Sequence, residues 1–199
     1  MARSKELAGG PGAELIRNKL RYEMGDINVV DRYLFTLTVG RDLKVQYEGA
    51  GSVGDLNFTT KALAAAASHI VLSQENAVSS GSPPDELPAR ITADLPPFLL
   101  SRAVFAALKK QGKASFKFEW SDDVSAVAVK ARKQLTIVVE GKKTAVPVLY
   151  CRGSLHDCKL WVIDDDDWPV ILKHEEEDGC FWKLLEAGKG LAADDDDDD

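Results

Sequence analysis

From Gln134 to Leu185 the chain is a succession of apolar, β-branched and aromatic runs cut at short intervals by polar breaks: QLTIVVEGKKTAVPVLYCRG leads into KLWVIDDDDWPVILKHEEEDGCFWKLLEA. The breaks EGKK, RGSLHD, DDDD and EEEDG have turn composition, and the runs between them have strand composition, so the stretch reads as consecutive antiparallel strands joined by short turns. Trp161 lies between Leu160 and Val162 and is expected inside this sheet. Trp168 ends an aspartate turn and is expected to be the more exposed of the two.

Upstream, the signals are mixed. Residues 1–12 are small, polar and glycine-rich and are expected to be a disordered leader. Leu15, Ile16, Leu20 and Met24 recur at helical spacing, which predicts a short amphipathic helix. Ile27 to Val39 is strand-like, Gly40-Arg41-Asp42 is a turn, and Leu43, Val45 and Tyr47 alternate with Lys44 and Gln46 as in a strand with one wet face. The alanines from Ala62 to Ala67 predict a helix capped by Thr59 or Thr60 and running to about Leu72. Pro96-Pro97 opens a second helix, Phe98 to Leu108, with an apolar stripe and a stop at Gly112. Ser79-Ser80-Gly81-Ser82-Pro83-Pro84 is linker-like and marks a candidate lobe boundary at 79–88. The expected organisation is therefore a single domain over 13–187 followed by an acidic tail over 188–199. The expected class is α+β, a curved and mainly antiparallel sheet packed on one or two helices.

The later part of this order resembles bacterial lipoprotein-carrier-like domains. The resemblance is carried by the helix closed at Gly112, the hairpin after it, Thr144-Ala145-Val146-Pro147-Val148, and Leu160-Trp161-Val162-Ile163-Asp164 with Trp168-Pro169-Val170-Ile171-Leu172. Leu20-Arg21-Tyr22-Glu23 matches the opening of that family's strands. It implies a strongly curved sheet around helices, with a concave apolar surface that holds a hydrophobic guest without catalysis. Phe98, Phe105, Leu108 and Trp161 are the ligand-binding candidates on this reading.

A second motif points elsewhere. GAGSVG has the G-x-G-x-x-G spacing, follows a predicted strand and precedes a predicted helix, and it resembles the fingerprint of lactate and malate dehydrogenases. Gly49, Gly51 and Gly54 would let backbone approach a pyrophosphate, and Glu75 would be the ribose acid. Against it stand Lys44, Gln46 and Glu48 on a strand that should be buried on both faces, and the lack of repeated βαβ units. A loop between strand and helix is the plainer expectation.

The remaining chemistry is sparse. Cys151, His156, Cys158, His174 and Cys180 are metal-ligand types, but Cys151-x6-Cys158 is not a usual zinc spacing, and Asp164 to Asp167 lacks the pattern of a calcium loop. No metal and no cofactor is expected. No nucleophile, metalloprotease or phosphate-loop signature occurs and there are three histidines, so no catalytic residue is assigned.

Composition bounds the partners. The formal charge of −7 is nearly all held by the six terminal aspartates. Lys and Arg are scattered along the chain without interleaved aromatics, so no nucleic-acid partner is expected. No apolar stretch suffices for a secretory signal or a membrane span, and three cysteines suit free thiols, which together predict a cytoplasmic protein. The sequence thus favours a non-enzymatic protein binding an apolar small molecule or a partner segment. The alternatives are a dinucleotide-binding oxidoreductase-like domain through Gly49–Gly54, and an interaction or assembly module whose sheet is filled by its own helices and whose edge strand or acidic tail meets a partner.

Overall fold

The computed structural model describes residues 15–40, 43–49, 52–58, 99–117 and 124–192. A 3₁₀ turn at Leu15–Arg17 leads into β1 (Lys19–Gly25), β2 (Val30–Val39), β3 (Leu43–Gly49) and β4 (Ser52–Phe58). The helix α1 (Arg102–Gln111) follows, then β5 (Lys113–Lys117), β6 (Val124–Val139), β7 (Lys142–Gly153), β8 (Lys159–Ile163), β9 (Ile171–Glu175) and β10 (Phe181–Gly188).

All ten strands belong to one sheet in the order β4-β3-β2-β1-β10-β9-β8-β7-β6-β5. Its second half closes on itself. Five meandering strands, β6 to β10, alternate in direction, so the first and last run the same way and can close a ring only as a parallel pair. That pair is present, Glu186 opposite Val138 and Ala187 opposite Val139. The Glu140 amide completes it by donating to the Ala187 carbonyl at 2.9 Å. The other edge of β10 pairs along β1, from Lys19 opposite Gly188 to Gly25 opposite Phe181. β10 is therefore the strand through which the closed ring and the β1–β4 wing share one core.

Sequence explains the hairpin at the heart of the ring. β6 and β7 pair from Val127 opposite Gly153 to Val139 opposite Lys142, and they turn at Glu140-Gly141. Both turn residues have positive φ, 48° and 71°. That is the primed geometry whose twist suits a two-residue hairpin.

The helix is fixed at both ends: Ser101 Oγ accepts from the Val104 amide at 3.3 Å, and Gly112, at φ 72°, donates from its amide to the Leu108 carbonyl at 3.0 Å. The stop at Gly112 matches the sequence, but the start lies later than Phe98, because Leu99 bridges to Val170 as extended chain. Val104, Phe105 and Leu108 are the buried face of α1.

The expected α+β class is corrected. Among the described residues there are ten strands and a single α-helix of 10 residues, which makes this a large curved antiparallel sheet with one short helix. The predicted helix near Leu15–Met24 is a strand after its first turn, because Leu20 and Tyr22 are both buried while Lys19, Arg21 and Glu23 are not. A period of two thus prevails over the helical spacing. The alanine-rich helix at 62–72 and the boundary at 79–88 lie outside the described residues. The sheet runs to Gly188, one residue past the expected domain end, and the Lys19 ammonium donates to the Leu191 carbonyl at 2.7 Å.

Candidate functional site

Alternation along β7, β8 and β9 sends Cys151, Leu160, Val162 and His174 inward and leaves Tyr150, Trp161 and Lys173 half-exposed outside. Ladder register then sets the outward residues in ranks. Tyr150 is opposite Trp161, Trp161 opposite Lys173, Lys173 opposite Lys183 and Lys183 opposite Glu23. A second rank runs Arg152, Lys159, Glu175, Phe181.

The Tyr150 and Trp161 rings pack at 5.0 Å between centroids with a 42° tilt. The Lys133 ammonium lies over Tyr150 at 4.2 Å and that of Lys173 over Trp161 at 4.9 Å. Exposed contacts of this kind are worth about 0.5–1 kcal/mol each, too little to hold a lysine against a better partner. The carboxylates on this surface are shared. Glu175 lies 2.5 Å from Lys173 and 3.8 Å from Lys159, Lys183 pairs with Glu23 at 2.8 Å, and Arg152 pairs with Asp157. Counting Lys133, five cations meet four carboxylates, since Glu177 also acts on Arg152, a surplus of one positive charge around two aromatic rings.

The residues proposed from sequence do not converge. Phe105 and Leu108 are each 1% exposed and belong to the core that fills the sheet, whereas Trp161 is only half-buried and rests against that core from its margin. Phe98 lies outside the described residues. The expected order of the tryptophans is reversed as well. Trp168 is 4% exposed, donates from Nε1 to the Ile16 carbonyl at 3.2 Å and lies under the Arg17 guanidinium. What remains open beside α1 is a groove of about 610 Å³ between the helix and β5–β6, lined by Ala103, Val104, Ala107, Lys113, Ala114 and Val127 among others.

The glycine motif is a hairpin. Gly49 pairs with Ser52 and Gly54 with Tyr47, so the residues after the motif form an antiparallel strand where a phosphate-binding loop requires the first turn of a helix. The cause is in β4 itself, Ser52-Val53-Gly54-Asp55-Leu56-Asn57-Phe58, which pairs with β3 along its length. Gly51 and Glu75 lie outside the described residues.

Two acidic turns differ in what faces them. Asp164 and Asp166 each lie 3.0 Å from Lys109, Arg132 pairs with Asp164 at 2.5 Å and Arg17 with Asp165 at 3.6 Å. This turn is an ionic clasp that ties α1 and β6 to the β8–β9 connection.

At the β9–β10 turn, by contrast, one ligand atom each of His156, Glu176 and Asp178 lie within 4.8 Å of one another. These are groups able to hold a divalent cation such as zinc or manganese. The Glu177 amide donates to the His156 carbonyl at 3.1 Å and docks the two turns together. Burial is the main influence raising the Glu176 carboxyl above its ordinary value, His156 lowers it and Asp178 raises it. His174, fully buried and stacked on Trp182 at 3.6 Å, places Nε2 3.5 Å from Glu176.

Burial likewise pushes the Cys151 thiol up to about 12 and that of Cys158 to about 11, so both are inert core thiols rather than nucleophiles at neutral pH.

The sequence reading missed the outer ranks because their members are neighbours only across strands. Among the described residues, no helix is long and apolar enough to cross a membrane. No protein-family model, curated protein or solved structure matches the chain.

Proposed function

We propose that the chain is an interaction module whose sheet is filled by its own side chains and whose partner is met on the outer face of β7–β9. The observation that supports this most directly is the Tyr150–Trp161 pair, two large rings left half-exposed at the centre of a charged sheet surface. Tyr and Trp are the side chains that supply most binding energy at recognition surfaces, because they bury a large rigid area and lose little conformational freedom in doing so. The filled core favours this reading over a guest in the concavity, since Phe105 and Leu108 are already covered there.

A second reading keeps an apolar small molecule as the ligand and moves it to the groove beside α1, whose lining is mainly Ala and Val. The two readings separate by site-specific photo-crosslinking in cells that make the protein. A benzophenone side chain at position 161 should capture a macromolecule, and one at position 107 should capture nothing. A small-molecule adduct at 107 with none at 161 would replace the outer face by the groove.

A further inference from the structure

Resting on the outer-face reading, we propose that Tyr150, Trp161 and the lysines around them bind single-stranded nucleic acid, with bases stacked on the two rings and phosphates taken by Lys133, Lys159 and Lys173.

The rings supply the first argument. Each is capped by a lysine ammonium, at 4.2 Å over Tyr150 and 4.9 Å over Trp161. Lysine stems are long and flexible, and a base stacked on an aromatic ring is held more strongly than an exposed ammonium over the same ring. An arriving base therefore displaces the ammonium from the ring face, and the displaced charge stays within reach of the phosphate that follows that base. Recognition of this kind is indifferent to sequence, because every base has a π-face.

Charge supplies the second. The surface around the rings carries a surplus of one positive charge, held by Lys133, whereas the chain as a whole is at −7, with six of those charges in the terminal aspartates. The field that an anionic chain meets at this face is opposite in sign to the net charge of the molecule.

Shape supplies the third. The rings lie on a sheet surface and are not carried by a protruding helix that could enter a duplex groove, so the bases they meet must already be unpaired. An acidic peptide would satisfy the lysines but leave both rings without a stacking partner.

The test is fluorescence anisotropy of a labelled twelve-residue oligothymidylate titrated with the full chain at low ionic strength. Saturable binding is expected, with log affinity falling against log salt at a slope of about −2, from roughly 0.7 for each phosphate neutralised by the three lysines. Trp161→Ala should weaken binding roughly tenfold or more, whereas Trp161→Phe keeps a stacking face and should stay within about threefold of the wild type. Lys133→Ala and Lys173→Ala should each make the salt slope shallower. Unchanged affinity in Trp161→Ala, or equal binding of a duplex, would overturn the proposal. Parallel titrations use polyglutamate and phosphatidylserine vesicles. If either binds in a Trp161-dependent way and the oligonucleotide does not, the nucleic-acid assignment falls and the outer-face reading stands. If none of the three binds and position 161 captures nothing in cells, both fall.

Discussion

The two faces of β7–β9 differ by one residue of register and by everything that follows from it. Inward, Cys151, Leu160, Val162 and His174 are fully buried in the ring. Outward, Tyr150, Trp161 and Lys173 are only half-buried and contact one another, with Trp161 also resting against the core. One tryptophan thus holds the fold from the β8–β9 connection while another, on β8, is left partly uncovered. The character of their neighbours in the chain does not separate them. Trp161 sits between two apolar residues and faces out; Trp168 adjoins four aspartates and faces in.

Stability measurements can break this comparison, and the largest effect belongs to the inner face. Trp168→Ala removes a ring that is 4% exposed and a donor to the Ile16 carbonyl, so it should cost about 3–5 kcal/mol in a denaturant melt. A cost under about 1 kcal/mol, the ordinary result for a surface substitution, would mean that the β8–β9 connection does not pack against the 3₁₀ turn.

A smaller inner-face effect is expected at Tyr22. Its hydroxyl, fully buried, donates to the Ile171 carbonyl at 2.7 Å and ties β1 to β9 across the core. Tyr22→Phe keeps the ring and its edge contact with Phe35 but leaves a buried carbonyl unmet, a cost of about 1–3 kcal/mol. A neutral result in the same melt would place water at that carbonyl.

How much of this was legible follows from which interactions are local. Turn and strand signals are local, so the strand succession from Gln134 to Leu185, the alternation of Leu43, Val45 and Tyr47, and the helix stop at Gly112 could all be read from neighbours in the chain. Ring closure was not legible, because it depends on Glu186 meeting Val138, a pairing over long separation with no composition of its own. The outer surface was hidden for the same reason. Lys133, Tyr150, Trp161 and Lys173 each stand more than ten residues from the next, and only ladder register makes them a cluster. GAGSVG shows the converse. Its spacing is local and matches a phosphate loop, yet spacing says nothing about the next segment, which pairs back as β4.

The rim between the faces should respond to pH in a direction that can be worked out. Glu176 has its pKa raised above 4.5, first by burial and then by Asp178, with His156 opposing. The folded state therefore binds this proton more tightly than the unfolded chain does. Its contribution to stability is complete below 4.5 and is lost as pH rises through the folded value. Glu176→Gln resembles the protonated form, so the variant should gain on the wild type in denaturant midpoint as pH increases above 4.5. A variant that instead falls behind would show that attraction to His156 outweighs burial, and would favour the His156, Glu176 and Asp178 cluster as a charged centre.

The smallest expected effect is the most informative about the outer face. Trp161 is half-buried: its ring packs on Tyr150, lies under the Lys173 ammonium and also rests against the hydrophobic core, which Trp168 enters completely. Removing it forfeits one aromatic contact, worth about 0.5–1.5 kcal/mol, one exposed cation–π contact, worth about 0.5–1 kcal/mol, and part of its packing against the core, while Tyr150 and the freed ammonium gain water in return. The net cost of Trp161→Ala should therefore be about 1–2 kcal/mol, below that of Trp168→Ala. A loss as large as the one at Trp168 would make Trp161 a structural ring, and its exposure would no longer call for a partner. A cost well below that of Trp168→Ala, together with lost ligand binding in the same variant, is the pattern that separates a recognition residue from a packing residue. Tyr150→Ala serves as the matched control, because it removes the neighbouring ring of the same pair and should behave alike in both measurements.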